Sequence, residues 1–217
     1  MTKLTTVSLI LIASLEIPFA LAQTSSAANT PAKVEVWTVE NGSATFYVPT
    51  NIPAIEVKGK SGALQAHVQL HRDAAGVVID RIDAIMPIAS LVTGMAVRDE
   101  HMRKHIFTTA NGDIPDMQFE SQQIACPGLT SGHEVNCNVN GNLKIRGVAH
   151  AFSIALRVRQ NPTGPTIHAT GGAVIKLSDY GIEQPSQLGV KTANEVQVHL
   201  EFTGRENALV TTAKEGR

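Results

Sequence analysis

The chain has 217 residues, a formal net charge of −1 and only 4% aromatic residues. Near-neutral charge and scarce aromatic side chains exclude both a basic nucleic-acid surface and a base-stacking platform, so we expect no nucleic-acid partner. Once an N-terminal leader is set apart, the remaining length suits a single domain.

The first residues have the pattern of a secretory signal peptide. Lys3 precedes a mostly apolar run, Leu4 to Leu15, and Ala20-Leu21-Ala22 supplies the small residues of a cleavage site. We therefore expect residues 1–22 to be removed after Ala22 and the protein to be periplasmic or secreted. Residues 23–33 are small and polar and predict a disordered leader. An uncleaved anchor is the alternative, but it would require about 20 apolar residues.

From residue 34 onward, apolar and polar residues alternate, which predicts β-strands with one buried face. The longest alternating runs are Leu64 to Leu70, Phe152 to Val158 and Val196 to Phe202. One run, Val77 to Ile88, is longer and more continuously apolar than the others and predicts a strand that is buried on both faces. Shorter runs with the same period of two surround Val36, Phe46, Phe119, Ile145 and Ile175.

Turn-forming residues separate these runs. The turn signals are Asn41-Gly42, Asp73 to Gly76, Asn140 to Asn142, Asn161 to Gly164 and Gly171-Gly172. About eight strands joined by short turns close most economically into an antiparallel barrel or a sandwich, and the pattern alone leaves both open. If the sheet closes, about eight strands leave room for one apolar ligand inside.

One segment, Met95 to Ile106, has its charges at helical spacing. Asp99-Glu100 precedes Arg103-Lys104 by four residues, a spacing that supports a helix. We expect a short helix that covers one end of the barrel, with Thr93 as its N-cap. The alternative is a plain connection whose charged side chains face water.

Cys126 and Cys137 are the two cysteines of the chain. Export would place them in an oxidising compartment, where a pair normally forms a disulfide. The residues between them are typical of a turn. We expect a structural disulfide that joins the two arms of a hairpin and stabilises the fold by roughly 2–3 kcal/mol.

No pattern in the sequence nominates a catalytic site. A Gly-x-Ser-x-Gly elbow is missing. The carboxylate pairs Asp80 with Asp83 and Asp113 with Asp116 are more typical of surface and turn positions than of acid–base partners. Residues 54–61 fit a relaxed phosphate-loop pattern, but a strand follows them and offers no helix N-terminus to a phosphate. The sequence therefore favours a binding protein over an enzyme.

Four histidines leave a metal-dependent enzyme or metal-binding factor as the alternative. His101 and His105 lie four residues apart on the predicted helix, which is a metal-ligand spacing. His67 and His71 have the same spacing on the polar side of a predicted strand, where solvent exposure explains them equally well. A metal site needs three or four ligands, and the sequence places no carboxylate or thiolate to complete one.

Three sequence islands, in a fixed order, resemble a known family. They are Arg98 to Met102, Leu143 to Val148 and Leu177 to Ile182. In this order, and embedded in alternating strands, they resemble the YceI-like lipid-binding, or polyisoprenoid-binding, family of exported bacterial proteins. The similarity runs over residues 34–204 and leaves residues 205–217 as a C-terminal tail. Weaker members of the same pattern are Val57-Lys58-Gly59, Thr93-Gly94, Pro115 with Phe119, and Asn194-Glu195-Val196.

The resemblance implies an all-β fold: a lipocalin-like, eight-stranded antiparallel barrel with a short capping helix. It implies a lipid carrier without catalysis, whose ligand is a long isoprenoid of the polyprenyl or quinone type, and no other cofactor. It is compatible with loading at a membrane surface and with either a monomer or a homodimer. The sequence departs from the family after Val57-Lys58-Gly59, where Lys60-Ser61 replaces an expected aromatic residue.

Candidate ligand contacts come from the apolar face of the strands and from the matching motif. Arg98 and His101, carried over from that motif, would meet a polar lipid head group. Two alternatives stay open: Arg98 pairs with Asp99 to hold the helix, and the barrel is a fully packed core that binds nothing. For the cavity wall we nominate Phe46, Leu64, Val68, Phe119, Ile145, Ile154, Leu156, Ile175 and Leu200.

Overall fold

The computed structural model describes residues 33–74, 76–121, 123–130 and 132–207. The predicted signal peptide lies outside these residues, as do nearly all of the predicted leader and most of the predicted tail. The last strand continues through Glu206, two residues into the segment predicted as a tail. The strands are β1 Glu35–Pro49, β2 Glu56–Asp73, β3 Gly76–Met86, β4 Met117–Ser121, β5 Ile124–Pro127, β6 Glu134–Ile145, β7 Val148–Gln160, β8 Thr166–Lys176, β9 Ser186–Gln187, β10 Val190–Lys191 and β11 Glu195–Glu206.

The strands close into an antiparallel barrel with eight positions around its wall, and the predicted fold class is confirmed. Neighbours follow chain order, and β11 returns to β1 to complete the circle. β4 and β5 together fill one of the eight positions, because β4 pairs with the second half of β3 and β5 pairs with the first half. Closure pairs β11 with β1, which leaves neither of these two strands at a free edge of the sheet.

Three of the predicted turns lie inside strands instead. Asn41-Gly42 lies in β1, where the pairing with both neighbouring strands shifts at a β-bulge. Asn140 to Asn142 lies in β6 and Gly171-Gly172 in β8. A Cβ atom on Gly141 or Gly171 would collide with a backbone carbonyl oxygen of the adjacent strand. Close approach between strands, rather than chain reversal, therefore explains the glycines in β6 and β8.

The prediction that Val77 to Ile88 is buried on both faces is also wrong. β3 contains a one-residue bulge at Asp80, where its pairing with β2 shifts. Before the bulge, Val77 and Ile79 line the barrel interior, and after it Ile82 and Ala84 do so. The bulge changes the phase of the alternation, so inward-facing residues fall at odd positions before it and at even positions after it.

The two ends of the barrel carry different connections. We call one end the mouth; it carries the β1–β2, β3–β4, β6–β7 and β8–β11 connections, with the helix and the β9–β10 hairpin among them. We call the other end, with the β2–β3, β5–β6 and β7–β8 connections, the closed end. The interior of the closed end is filled by a packed cluster whose central members are Trp37, Leu70, Val77, Cys126, Leu129, Cys137 and Ala169.

The predicted disulfide between Cys126 and Cys137 is present, with Cα atoms 5.2 Å apart. It does not join the arms of a hydrogen-bonded hairpin, however. β5 pairs with β3, the facing half of β6 pairs with β7, and no ladder joins β5 to β6 in the described residues. The disulfide therefore crosses a seam in the barrel wall at the closed end and holds its two sides together.

The predicted short helix is present, and only its first part is α-helical. Helix α1, Ala96–Met102, continues into a π-helical turn, Arg103–Phe107. Thr93 is not the N-cap, because the helix begins directly after Met95, whose side chain makes no capping hydrogen bond. Within the described ranges, none of the helices is long and apolar enough to cross a membrane.

Candidate ligand-binding cavity

The barrel encloses a cavity of about 1020 Å³. This volume lies at the upper end of the roughly 300–1,000 Å³ that small-molecule sites occupy. Lining residues at the closed end are buried or partly buried, whereas those at the mouth include exposed side chains such as His101 and Leu188. The cavity is therefore a deep pocket with one opening end, and the alternative of a fully packed barrel does not hold.

The wall of this cavity is mostly apolar because strand residues at alternate positions face inward. The structure places all of the nominated wall residues on it, and their contact with a ligand stays a prediction. Leu64 and Leu200 are half-buried, so part of each side chain is open to the cavity, whereas Ile154 is 4% exposed and mainly packs. The nominated residues that line the cavity are Phe46, Leu64, Val68, Phe119, Ile145, Ile154, Leu156, Ile175 and Leu200.

Phe46 owes its position on the wall to a glycine in the neighbouring strand. Phe46 pairs with Gly59, and a Cβ atom on Gly59 would collide with the Phe46 ring. The two residues that depart from the family pattern follow directly. Lys60 is exposed, while Ser61 is 2% exposed and its hydroxyl lies 2.6 Å from that of Ser90. Ser61 thus contacts the β3–β4 connection through its hydroxyl group.

Arg98 lies at the mouth, on the side of α1 that lines the cavity. Its Nε donates a hydrogen bond to the Thr93 hydroxyl, and its Nη2 donates to the Thr93 carbonyl oxygen, both at 2.8 Å. Nη1 has no protein partner in the described part of the chain. Two bonds to one residue restrict the rotamer of Arg98, which leaves its guanidinium fixed at the mouth with a free donor.

Asp99 holds the same threonine from the other side and forms no direct ion pair with Arg98. Its carboxylate accepts hydrogen bonds from the Thr93 hydroxyl and, at 2.7 Å, from the Thr93 backbone N–H. The hydroxyl bond is the main cause that lowers the pKa of Asp99, against the opposing effect of burial. Asp99 thus anchors the connection before α1, and the predicted Arg98–Asp99 pair is replaced by a three-residue network centred on Thr93.

The four histidines of the metal-binding alternative do not come together. His101 and His105 lie at the mouth with ring centroids 4.2 Å apart, on one helical face as predicted. His67 and His71 lie on the outer side of β2, where the Nδ1 atom of His71 is 2.9 Å from the Asp80 carboxylate. Among the described residues, no group of three or more His, Cys, Asp or Glu side chains could hold a metal ion.

The side of the mouth formed by residues 183–192 was not predicted from the sequence. These residues line the cavity opening and include the β9–β10 hairpin. Asn51, in the β1–β2 connection, fastens the hairpin: its amide donates to the Gly189 carbonyl at 3.1 Å and its Oδ1 accepts from the Lys191 N–H at 2.8 Å. Because the partners are about 140 positions apart in the chain, no local sequence signal indicates this arrangement.

The family model of the YceI-like domain matches residues 36–204. The chain belongs to this family. Every nominated cavity residue, Arg98, His101 and both cysteines fall inside the YceI-like match. No curated protein matches the sequence significantly.

Solved structures of similar fold include a polyisoprenoid binding domain from Saccharophagus degradans, with a TM-score of 0.60 at 17% identity over 79% of this chain and 98% of that chain. Burkholderia cenocepacia BcnA has a TM-score of 0.54 at 22% identity, over 75% of this chain and 95% of that chain. A Campylobacter jejuni YceI protein has a TM-score of 0.53 at 21% identity, over 70% and 86%. At these identities the likeness establishes the fold.

Proposed function

We propose that this protein is an exported carrier that binds a long isoprenoid lipid of the polyprenyl or quinone type inside the barrel and performs no catalysis. The main observation in support is an apolar cavity of about 1020 Å³ that is closed at one end and open at the other. Burial of an apolar chain is favourable by about 25 cal/mol per Å². The similar fold of a polyisoprenoid binding domain supports this cargo class.

The distribution of polar groups orients the ligand. Side chains at the closed end of the cavity are apolar and buried, so a polar head group placed there would lose its hydrogen bonds to water. Arg98, His101 and His105 line the opposite end. The apolar tail therefore lies towards the closed end, and the head group stays at the mouth within reach of the free donor of Arg98.

The charges at the mouth favour a quinone over a diphosphate head group. Arg98 is the one Lys or Arg side chain among the described lining residues, and the Glu183 carboxylate lines the same opening. A diphosphate carries several negative charges and is normally held by several cations. A quinone needs only hydrogen-bond donors for its carbonyl oxygens. A single anchored guanidinium, at an opening that also carries a carboxylate, suits the uncharged head group better.

The test is native mass spectrometry of the protein purified without detergent, before and after ubiquinone or polyprenyl diphosphate is offered. We expect one bound isoprenoid per chain, with ubiquinone retained more tightly. Leu64→Trp, at an inward half-buried position, should fill the cavity and reduce uptake at least tenfold. Val174→Trp places the same ring on β8 at an exposed site, 53% accessible, and should leave uptake unchanged. A bare wild-type mass after both lipids are offered would contradict the proposal.

A further inference from the structure

Exposed apolar side chains are concentrated at the mouth. In the described part of the chain, only Val34 at the closed end and Val174 on the outer wall are large, hydrophobic and exposed elsewhere. Isolated exposed apolar residues are common on protein surfaces, but their accumulation around one opening requires an explanation. The exposed hydrophobic residues in or next to the mouth connections are Ile52, Ile55, Val92, Met95, Val97, Ile114, Val148 and Leu188.

Leu188 is the extreme case among them. It is 97% exposed and borders the cavity opening. With φ of +49°, and Gly189 at +80°, it forms the two-residue turn between β9 and β10. Such a turn has the type I′ geometry, which prefers Asn or Gly at its first position because a Cβ atom is crowded there. A leucine that is both strained and unburied gains nothing inside the fold, which indicates a contact outside it.

The turn is held in place, so this exposure is a property of the fold. Asn51 bonds to Gly189 and Lys191 and thereby sets the tip beside Ile52, which is 39% exposed. Across the opening, Met95 and Val97 are 57% and 80% exposed at the beginning of α1. We call Ile52, Met95, Val97 and Leu188 the apolar rim.

The charges around the apolar rim nearly cancel, and one ion pair, Glu100 with Lys104 at 2.8 Å, already joins two of them. This balance does not fit a strongly charged partner, but it does fit a zwitterionic bilayer, whose surface is neutral overall. The charged residues of the mouth connections are Arg98, Arg103, Lys104, Arg146 and Lys191 against Asp99, Glu100, Asp113, Asp116, Asp179 and Glu183.

The apolar tips are distributed around the opening of the cavity instead of forming one continuous patch beside it. A bilayer, which deforms around separate tips, fits this arrangement better than a protein partner, which needs a contiguous complementary surface. Of the four rim residues, Leu188 lines the cavity opening, while Ile52 and Val97 lie within two positions of the lining residues Thr50 and Arg98. A lipid that leaves the bilayer under the rim therefore passes into the barrel without crossing water.

We propose that the apolar rim is a membrane-docking surface, which inserts Leu188 and Val97 into the interfacial layer of a zwitterionic bilayer and places the mouth over the lipid. The transfer step rests on the proposed function, because it requires a lipid-binding cavity. Docking of the apolar rim on a bilayer does not require the cavity. It adds to the carrier function the place where cargo is exchanged and the residues that make contact.

The experiment measures co-sedimentation with phosphatidylcholine vesicles that contain ubiquinone, and the rate of ubiquinone transfer to the protein. The variant combines Leu188→Asp with Val97→Asp. The matched control combines Val34→Asp, at the closed end, with Val174→Asp, an exposed residue on the outer wall. We expect vesicle binding and transfer rate to fall at least fivefold in the rim variant. In the control, both should stay within twofold of the wild type. Neither salt nor added anionic lipid should change wild-type binding more than twofold.

Ubiquinone delivered from dilute ethanol, without vesicles, separates the two proposals. The rim variant should take it up normally, because its cavity is intact. Loss of this uptake as well would assign the slower transfer to a damaged cavity and contradict the role of the rim in transfer. Equal vesicle binding by rim variant and control overturns the docking proposal, as does binding that requires anionic lipid. A wild type that docks on vesicles but takes up no ubiquinone contradicts the carrier function alone. A wild-type dimer that the rim variant dissolves would show that the apolar rim joins two copies.

Discussion

The closed end and the mouth are built from the same strands, but their residues serve different purposes. At the closed end the central inward side chains are almost fully buried, with Trp37 and Leu70 each 2% exposed, and a disulfide crosses the seam between β5 and β6. At the mouth, Thr93 organises a polar network and Leu188 is fully exposed with a left-handed backbone. Packing supplies stability at one end. At the mouth, the proposed docking surface keeps apolar side chains exposed instead of packing them.

The largest effect is expected from Trp37→Ala, which removes the biggest side chain of the closed-end cluster. Large-to-small substitutions of this kind cost about 3–5 kcal/mol because the cavity that remains collapses only in part. The measurement is urea unfolding followed by circular dichroism, since the variant has no tryptophan left to report. The exposed Val174→Ala should cost less than about 0.5 kcal/mol. A similar loss of unfolding free energy in both variants would contradict the assignment of stability to the closed end.

The next largest effect is expected from the double variant Cys126→Ala and Cys137→Ala, which removes the disulfide across the seam between β5 and β6. The disulfide closes a loop of 11 positions, so its loss should lower the free energy of unfolding by about 2–3 kcal/mol. Because no ladder joins β5 to β6 in the described residues, the damage should be local. Hydrogen exchange should rise in residues 124–127 and 134–138 well before it rises in β1 and β2. Uniform acceleration across the barrel would mean that β5 and β6 are held by contacts other than the disulfide.

A third, smaller effect concerns the mouth in acid. Thr93 lowers the pKa of Asp99, so the ionised carboxylate stabilises the folded state. This contribution is present above the pKa of an unfolded Asp, near 4, and is lost as the pH falls through the lower folded value. We therefore expect hydrogen exchange in α1 to rise below about pH 4 while the closed end stays protected. Asp99→Asn should remove this pH dependence.

The control for that experiment is Asp113→Asn, an exposed carboxylate in the same β3–β4 connection. It should leave the acid response of α1 as it is in the wild type. An acid response that survives Asp99→Asn, or that disappears with Asp113→Asn, would assign the effect to another carboxyl group.

The strand faces could be predicted from the sequence, because a period of two fixes which side chains share a face wherever the strand is placed. Leu64 and Val68 therefore lie on the cavity wall as expected. Gly141 and Gly171 were misinterpreted because the close strands that require them are distant in sequence. The mouth was beyond prediction for a similar reason: Asn51 holds Lys191 across 140 positions. Local pattern determines the wall of the cavity, whereas tertiary contacts determine its opening.

The smallest effect, and the sharpest comparison of the two ends, comes from Leu188→Asn. Asn followed by Gly189 is the preferred pair for a type I′ turn, so the substitution should relieve the left-handed strain of Leu188. We expect the free energy of unfolding to rise by up to about 1 kcal/mol, since a left-handed non-glycine residue costs roughly 1–2 kcal/mol and Asn tolerates that conformation better. The same variant should transfer ubiquinone from vesicles more slowly. The gain in stability and the loss in transfer rate would then both come from the Leu188 side chain.

Gly189→Ala provides the opposite control, because a Cβ atom at φ of +80° adds strain without removing the leucine. It should lower stability while vesicle binding is retained. If Leu188→Asn instead destabilised the protein, the leucine would be packing against the mouth and supporting the fold. A Leu188→Asn variant that is more stable but transfers ubiquinone more slowly would mean that the mouth retains a strained, exposed leucine because membrane contact requires it. The closed end of the same barrel is packed for stability instead.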